Sequence, residues 1–212
     1  MVIVKERELL PVNVNVTLEG RKSIIKPISL NEINEKYLSW LCDPEVIQYL
    51  DVRYKSHKIN DVIDHINGLR SKSGCELFGV FSKDNNDHVG NISINAHNPN
   101  GQGYVDYGIM IGDEKARKMG LGGEANVLLI EYIFRDPQIR RIRVGMYSVN
   151  DQSWKIFETL GFIREAVMRQ HAVLESGKIC DAYIYGLLRK EWELSRKKVD
   201  ILLKDMRVID LS

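Results

Sequence analysis

Three closely spaced glycines, Gly120, Gly122 and Gly123, stand between a predicted strand and a predicted helix. Glycine allows a ligand to come close to the backbone and leaves several N–H groups accessible in a row. The start of the helix adds partial positive charge, and Arg117 and Lys118 add full charges beside it. This chemistry suits a phosphate or pyrophosphate, although the glycines alone are equally compatible with a plain strand-to-helix turn.

Two known phosphate-binding patterns fit this segment poorly. Residues 120–125 match GxGxxA, but in the dinucleotide fingerprint the glycines directly follow the first strand of a parallel βαβ unit. Here residues 112–119 separate the strand from the first glycine, and predicted antiparallel hairpins come before it. The nucleotide P-loop pattern GxxxxGK[ST] does not occur.

The composition is that of a folded, soluble protein. The 212 residues are 44% hydrophobic and 28% charged, which excludes a wholly disordered chain and a collagen-like repeat. Lysine and arginine total 30 against 29 acidic residues, so the charge gives no support for a nucleic-acid partner. Three scattered cysteines argue against a disulfide framework. With no secretion signal or membrane-spanning run, we expect a cytoplasmic protein without a membrane partner.

The apolar periodicity predicts a mixed α+β chain, with an antiparallel meander followed by a β-α-β-α-β stretch. Strands are predicted at 12–17, 23–28, 77–82, 88–95, 104–111, 139–149, 162–174 and 179–188. Helices are predicted from a cap at Asn31 to about residue 41, from Asp43 to residue 50, after a cap at Asn60, and at 121–134, 151–160 and 194–206.

Two spaced motifs resemble the GCN5-related N-acetyltransferase (GNAT) family. Residues 117–122 read RKMGLG and match the family's acyl-CoA loop [QR]-x-x-G-x-[GA], and residues 150–162 match N-x-x-S-x-x-x-[YF]-x-x-x-G-F. The likeness covers residues 18–192, which leaves 1–17 as an N-terminal extension or strand and 193–212 as a C-terminal helical extension. Other positions resemble the RimJ/RimL-like (ribosomal-protein N-acetyltransferase-like) branch: Trp40, Asp43, Glu165, Arg169, Gly177 and Asp181.

The resemblance implies the GNAT fold, a central and mostly antiparallel twisted sheet with a splayed parallel pair, flanked by helices. It also implies direct transfer of an acetyl group from acetyl-CoA, the co-substrate, to a primary amine. The pantetheine would pair with the strand at Ile109, Met110 and Ile111, where an N–H such as that of Met110 would polarise the thioester carbonyl. The remaining implied cofactor contacts are Arg117, Lys118, Met119, Gly120, Leu121, Gly122, Gly123, Asn150, Ser153 and Phe157.

Proton transfer needs its own residues, because a free amine is mostly protonated at pH 7. Asp106, on the strand that enters the site, is the first candidate for the base. Many relatives carry tyrosine where Phe157 stands, so Ser153, one helical turn earlier, is the candidate acid. His171, also a possible second base, and Arg53 are candidate substrate contacts, although a lone histidine is more often structural or at the surface, and a solvated surface position is the more ordinary one for Arg53. The histidines have no partners at metal-ligand spacing, so we expect no metal site.

The sequence leaves the acceptor open. We favour a small amine, such as an amino-sugar nucleotide, over a protein N-terminal amine. A non-catalytic acyl-CoA-binding domain is the rival from another class, favoured by the missing hydroxyl at Phe157. A homodimer is the default expectation, because it is the commonest assembly of soluble proteins.

Overall fold

One sheet of nine strands runs through the protein. The computed structural model describes residues 13–50, 58–97 and 102–211. The strands in chain order are β1 Val16–Glu19, β2 Ser23–Pro27, β3 Cys75–Ser82, β4 His88–His97, β5 Tyr104–Ile111, β6 Arg141–Tyr147, β7 Ile163–Val173, β8 Ile179–Leu188 and β9 Arg207–Asp210. Their order across the sheet is β7-β8-β6-β5-β4-β3-β2-β1-β9.

The helices are short, and several begin at a side-chain cap. Asn34, Asp43, Asp113 and Asn150 each accept a hydrogen bond from a backbone N–H in the first turn of the helix that follows. None of the described helices combines the length and apolar character needed to cross a membrane. The helices are α1 Glu35–Cys42, α2 Pro44–Ile47, α3 Ile59–Arg70, α4 Glu114–Met119, α5 Leu121–Ile133, α6 Asp151–Thr159, α7 Arg189–Ser195 and α8 Asp200–Leu203.

Strands β5 and β6 form the one parallel pair among the described strands. They pair over four residues, from Tyr104 opposite Arg141 to Tyr107 opposite Val144. Beyond that point β5 continues to Ile111 and β6 to Tyr147 without pairing to each other, while β4 and β8 stay paired along their outer edges. The predicted fold class, a mostly antiparallel sheet with a splayed parallel pair, is confirmed.

The two faces of the sheet are covered differently. On one face a large core contains most of α5, Phe157 of α6 and Trp192 of α7, packed on the inward residues of β3 to β6. On the other face α1 and α3 form a smaller core over residues such as Ile28 and Leu77. The outward side chains of β5 and β6 on this second face, including Asp106 and Arg143, remain partly exposed.

Some predicted elements were wrong. The first long helix begins after Asn34 rather than Asn31, and Asn60 lies inside α3. Residues 112–119 contain α4, because Asp113 caps a run of good helix formers. The predicted helix 194–206 is broken into α7, a 3-10 turn and α8. Strand β9 follows and pairs antiparallel with β1, so strands from both predicted extensions join the central sheet.

Four hydrogen bonds converge on the buried carboxylate of Glu124, in the first turn of α5. The backbone N–H groups of Arg21, Lys22 and Ser23 donate to it over 2.8–3.0 Å, and Ser23 Oγ donates over 2.6 Å. These donors belong to the turn that joins β1 to β2. The carboxylate therefore fixes this turn against the N-terminal end of α5 and satisfies groups whose burial without a partner would be costly.

Glu124→Gln is expected to lower the free energy of unfolding by about 2–4 kcal/mol, because the new amide group turns a donor toward backbone donors. Urea unfolding measures the change. Glu114→Gln is the matched control, since Glu114 is exposed and pairs only with Lys118 of its own helix. Equal stability of the two variants would contradict the role given to Glu124.

Candidate cofactor and acceptor site

The glycine segment joins α4 to α5 and leaves open space beside it. Gly120 has φ +79°, a left-handed conformation that ends α4 and that side chains rarely adopt. A Cβ added at Gly120 or Gly123 would meet no other atom within 4 Å. A Cβ at Gly122 would lie 2.8 Å from Ile111 Cγ1, so this glycine lets α5 pack closely on β5. The segment thus combines close packing against the sheet with access from outside.

Backbone donors are available at this junction. No side chain caps α5. The first backbone hydrogen bond of the helix runs from Glu124 N–H to the carbonyl oxygen of Gly120. The N–H groups of residues 121–123 lie in the first helical turn, where donors lack intrahelical acceptors. Lys118 and Met119, which are also among the implied cofactor contacts, lie in the last turn of α4, where backbone N–H groups bond within the helix.

Charged side chains flank the junction. Arg117 and Lys118 are exposed at the end of α4, and Lys118 Nζ donates to Glu114 over 2.6 Å. Lys22 Nζ donates to the carbonyl oxygen of Met119 over 3.2 Å. The helix N-terminus and these cations make the surroundings favourable for an anionic ligand.

The gap between the separated ends of β5 and β6 exposes backbone groups of β5. Gly112 N–H donates to the carbonyl oxygen of Val89, and the β4–β5 register is uninterrupted. Because N–H groups alternate between the two edges of a strand, that of Met110 faces β4, and those of Ile109 and Ile111 face the gap. The donors open to a ligand are therefore Ile109 and Ile111, and not Met110 as predicted.

Aromatic side chains close the covered face of the sheet where the strands separate. The rings of Tyr107 and Phe157 make an edge contact, with centroids 6.1 Å apart, and Phe157 also contacts Phe162. The Tyr107 hydroxyl donates to Asn126 of α5, and burial raises the pKa of Tyr107 well above its ordinary value. Phe157 is only 3% exposed, so it packs under the gap on the covered face of the sheet. On the opposite face Met110 packs on the core formed by α1 and α3, but toward Gly108 the described residues leave an uncovered face from which an acceptor can approach the gap.

An ion cluster lies on that uncovered face. Arg143 donates through Nε and Nη2 to the two oxygens of Asp106, over 2.5 and 2.7 Å, and His97 Nε2 lies 2.8 Å from Asp106 Oδ2. The His97 ring stacks on Tyr104, and the Arg143 guanidinium lies over the same ring. The hydrogen bond from Arg143 to Asp106 raises the pKa of Arg143 further above its usual range, so it stays charged.

Helix α6 borders the gap at the end of β6. Asn150 caps this helix, and its Oδ1 accepts a hydrogen bond from Ser153 N–H over 3.3 Å. Ser153 is half-buried in the first turn. His171 is exposed in an irregular stretch of β7, where Gln170 has φ +52° and its N–H donates to Asp181 Oδ1. Arg53 lies outside the described residues.

Sequence reasoning missed Arg143, His97 and Tyr104 as members of the site. Arg141 and Arg143 alternate with apolar residues on β6, which signals an outward polar face. The pairing of Asp106 with Arg143 depends on the parallel register of β5 and β6. That register brings together residues 37 positions apart, and no local pattern specifies it.

Comparisons with known proteins agree on one family. A family model described as an acetyltransferase (GNAT) domain matches residues 23–163. The uncharacterized N-acetyltransferase p20 of Bacillus licheniformis is 25% identical over 178 residues, which cover 83% of this chain and 98% of p20.

Solved structures of acetyltransferases share the fold. Mycobacterium smegmatis RimJ, in complex with CoA-disulfide, has a TM-score of 0.75 and 14% identity, over 94% of this chain and 99% of RimJ. RimL, a ribosomal L7/L12 alpha-N-protein acetyltransferase in complex with coenzyme A, has a TM-score of 0.66 and 18% identity, over 85% of this chain and 98% of RimL.

Gly123→Ala is expected to weaken CoA binding about tenfold or more, because the added methyl group points into the open space in which we expect the pyrophosphate to bind. The same change removes a glycine from a helix and should stabilise the fold slightly. Calorimetric titration with CoA and a thermal melt measure the two effects. Gly68→Ala in α3 is the matched control, since its Cβ would also meet nothing within 4 Å. Unchanged affinity in Gly123→Ala would remove this junction from the cofactor site.

Proposed function

The chain belongs to the GNAT acetyltransferase family, and from this premise we propose that it transfers the acetyl group of acetyl-CoA directly to a primary amine. The proposal rests on one observation, which is that the glycine junction and the exposed edge of β5 are continuous. The glycine junction opens beside the N-terminus of α5, and Gly122 packs this helix on Ile111, at the end of the strand that lines the gap.

In this proposal the pyrophosphate of CoA binds the N–H groups at residues 120–123, with Arg117 beside them. The pantetheine arm lies in the gap and pairs with the outward N–H and carbonyl groups of Ile109 and Ile111. One of these two N–H groups polarises the thioester carbonyl and stabilises the oxyanion that develops during attack. Asn150 and Ser153 line the opposite side of the arm.

The chemical step forms a C–N bond and breaks a C–S bond. The neutral amine attacks the thioester carbonyl carbon, loses a proton, and the CoA thiolate leaves. A free thiol has a pKa of about 8.5, so departure of the thiolate is tolerable near neutrality without an efficient acid. Ser153 is the candidate donor, and its expected contribution is small. Removal of the proton from the amine is then the more demanding part.

Asp106 is our candidate for receiving that proton. Arg143 and His97 already occupy three of its roughly four acceptor positions, which leaves one on Oδ1. Because Asp106 lies three residues before Ile109 on β5, roughly 10 Å away, we propose that it acts through water hydrogen bonded at this remaining position. His171 is the second candidate, from the edge strand β7, which β8 separates from β6.

The acceptor we favour is a small amine, such as an amino-sugar nucleotide, and a protein N-terminal amine is the alternative. The second candidate function is non-catalytic acyl-CoA binding. The observation that favours it is the buried Phe157, which stands where many relatives carry a tyrosine. Release of CoA from acetyl-CoA in the presence of pooled amines and N-terminal peptides separates these functions. Acetylation of an amine supports the enzyme, and tight CoA binding without any acetylation supports the binding domain.

Asp106→Asn is expected to lower kcat by about 10²-fold, within the usual range for the loss of a general base. Ser153→Ala should cost less and act mainly through CoA binding. The measurements are pH–rate profiles of both variants with the acceptor found in the pooled assay. Full activity and an unchanged profile for Asp106→Asn would transfer the role to His171. Normal CoA binding with loss of the chemical step in Ser153→Ala would show that Ser153 is the essential acid.

Direct transfer predicts that no cysteine carries the acetyl group. Cys75 and Cys180 are buried, and Cys42 is exposed at the end of α1. A variant with alanine at all three positions should keep most of its activity if its thermal melt remains cooperative. An acetyl-cysteine that forms and decays at the rate of turnover, followed by mass spectrometry, would refute direct transfer.

A further inference from the structure

The ion cluster on the uncovered face holds an arginine in a fixed orientation. Both Nε and Nη2 of Arg143 are bound to Asp106, which leaves the Nη1 donors of the guanidinium for another partner. Tyr104 supports both Arg143 and His97 through ring contacts. The side chain of Arg143 is 43% exposed, so its remaining donors are accessible.

This arginine lies close to where an acceptor must approach. Arg143 is opposite Asp106, one position before the last pair of β5 and β6. Three residues of strand, roughly 10 Å, separate Asp106 from Ile109, where the gap-facing groups begin. Gly108 and Gly145 carry no side chain on the same face between these points. An acceptor whose amine reaches the gap therefore extends toward Arg143.

The ion pairs of this region leave guanidinium donors and no unpaired carboxylate. The face of β5 and β6 that carries the ion cluster has two arginines, Arg141 and Arg143, and two carboxylates, Asp106 and Glu165, lie against them. Each carboxylate is already paired with an arginine: Asp106 with Arg143, and Glu165 with Arg141. These strands offer no free carboxylate for a second ammonium group, as a polyamine would require. They do offer guanidinium donors to a phosphate or carboxylate.

We propose that the acceptor is a primary amine that also carries a phosphate or carboxylate within roughly 10 Å of the amine, and that Arg143 binds this anion. The inference rests on the proposed acetyl transfer and adds the chemistry by which the acceptor is selected. Asp106 then has a second role, because its two hydrogen bonds hold Arg143 in the orientation that presents Nη1 to the anion.

The experiment compares matched pairs of amines at saturating acetyl-CoA. Glucosamine 6-phosphate against glucosamine tests a sugar phosphate. A tripeptide amide with aspartate at its second position against the same peptide with asparagine tests a carboxylate near a peptide amine. The wild-type protein should prefer the charged member of at least one pair by about tenfold or more in kcat/KM, and the pair that responds identifies the source of the anion.

Arg143→Gln should abolish most of that preference by raising KM for the charged amine. The ratio within a pair is the readout, because any effect of the variant on Asp106 acts on both members alike. Arg143→Lys keeps the charge without the forked geometry and should retain part of the preference, which covers the case in which the glutamine variant does not fold. Arg141→Gln, on the same strand and face, is the matched control and should retain the preference.

Equal rates for charged and neutral amines, or a preference that survives in Arg143→Gln, would overturn this inference while leaving acetyl transfer intact. Loss of the preference in Arg141→Gln to the same extent would also overturn it, because the effect would then be general to the charge of this face. Absence of turnover with every amine, despite normal CoA binding, would overturn both this inference and the proposed function.

Discussion

The parting of β5 and β6 is the constraint on which the site depends. The two strands share only four paired positions, yet each is held along its whole outer edge, β5 by β4 and β6 by β8. Beyond Tyr107 the inner edge of β5 therefore keeps its N–H and carbonyl groups aligned without a strand partner among the described residues. Tyr107 and Phe157 close one side of this opening with apolar packing, and the other side carries the ion cluster. A rigid strand edge with one closed side and one polar side is suited to present a thioester to an amine.

Glu124 connects this opening to the stability of the whole sheet. Its carboxylate lies one residue after the glycine junction, on the helix that we propose to bind the pyrophosphate. By accepting three backbone N–H groups of the β1–β2 turn, it ties the start of α5 to the half of the sheet that lies away from the gap. The accessible amides at residues 121–123 and the fully satisfied carboxylate at residue 124 are thus neighbours with opposite roles.

Local patterns predicted the parts of the fold that local physics determines. The bounds of β5 and β8 agree with the alternation of their side chains, and Gly161, with φ +97°, ends α6 as expected of a glycine there. Helix α4 was missed because its six residues, of which only Ala116 is buried, are too few to show an apolar periodicity. The Arg143–Asp106–His97 cluster could not be predicted, because it arises from the register of β4, β5 and β6. Strand β9 was missed for the same kind of reason, since its partner β1 lies at the other end of the chain.

The central claim, that CoA occupies the gap between β5 and β6, is tested most directly by amide hydrogen exchange resolved by NMR with and without CoA. Exchange at Ile109 and Ile111 should slow when CoA binds, because their N–H groups face the gap. Exchange at Met110 should change little, since its N–H faces β4 in both states, and this residue serves as an internal control between the other two. Slowing at residues 121–123 without any change at Ile109 and Ile111 would contradict the account, because it would place the cofactor on the helix but outside the gap.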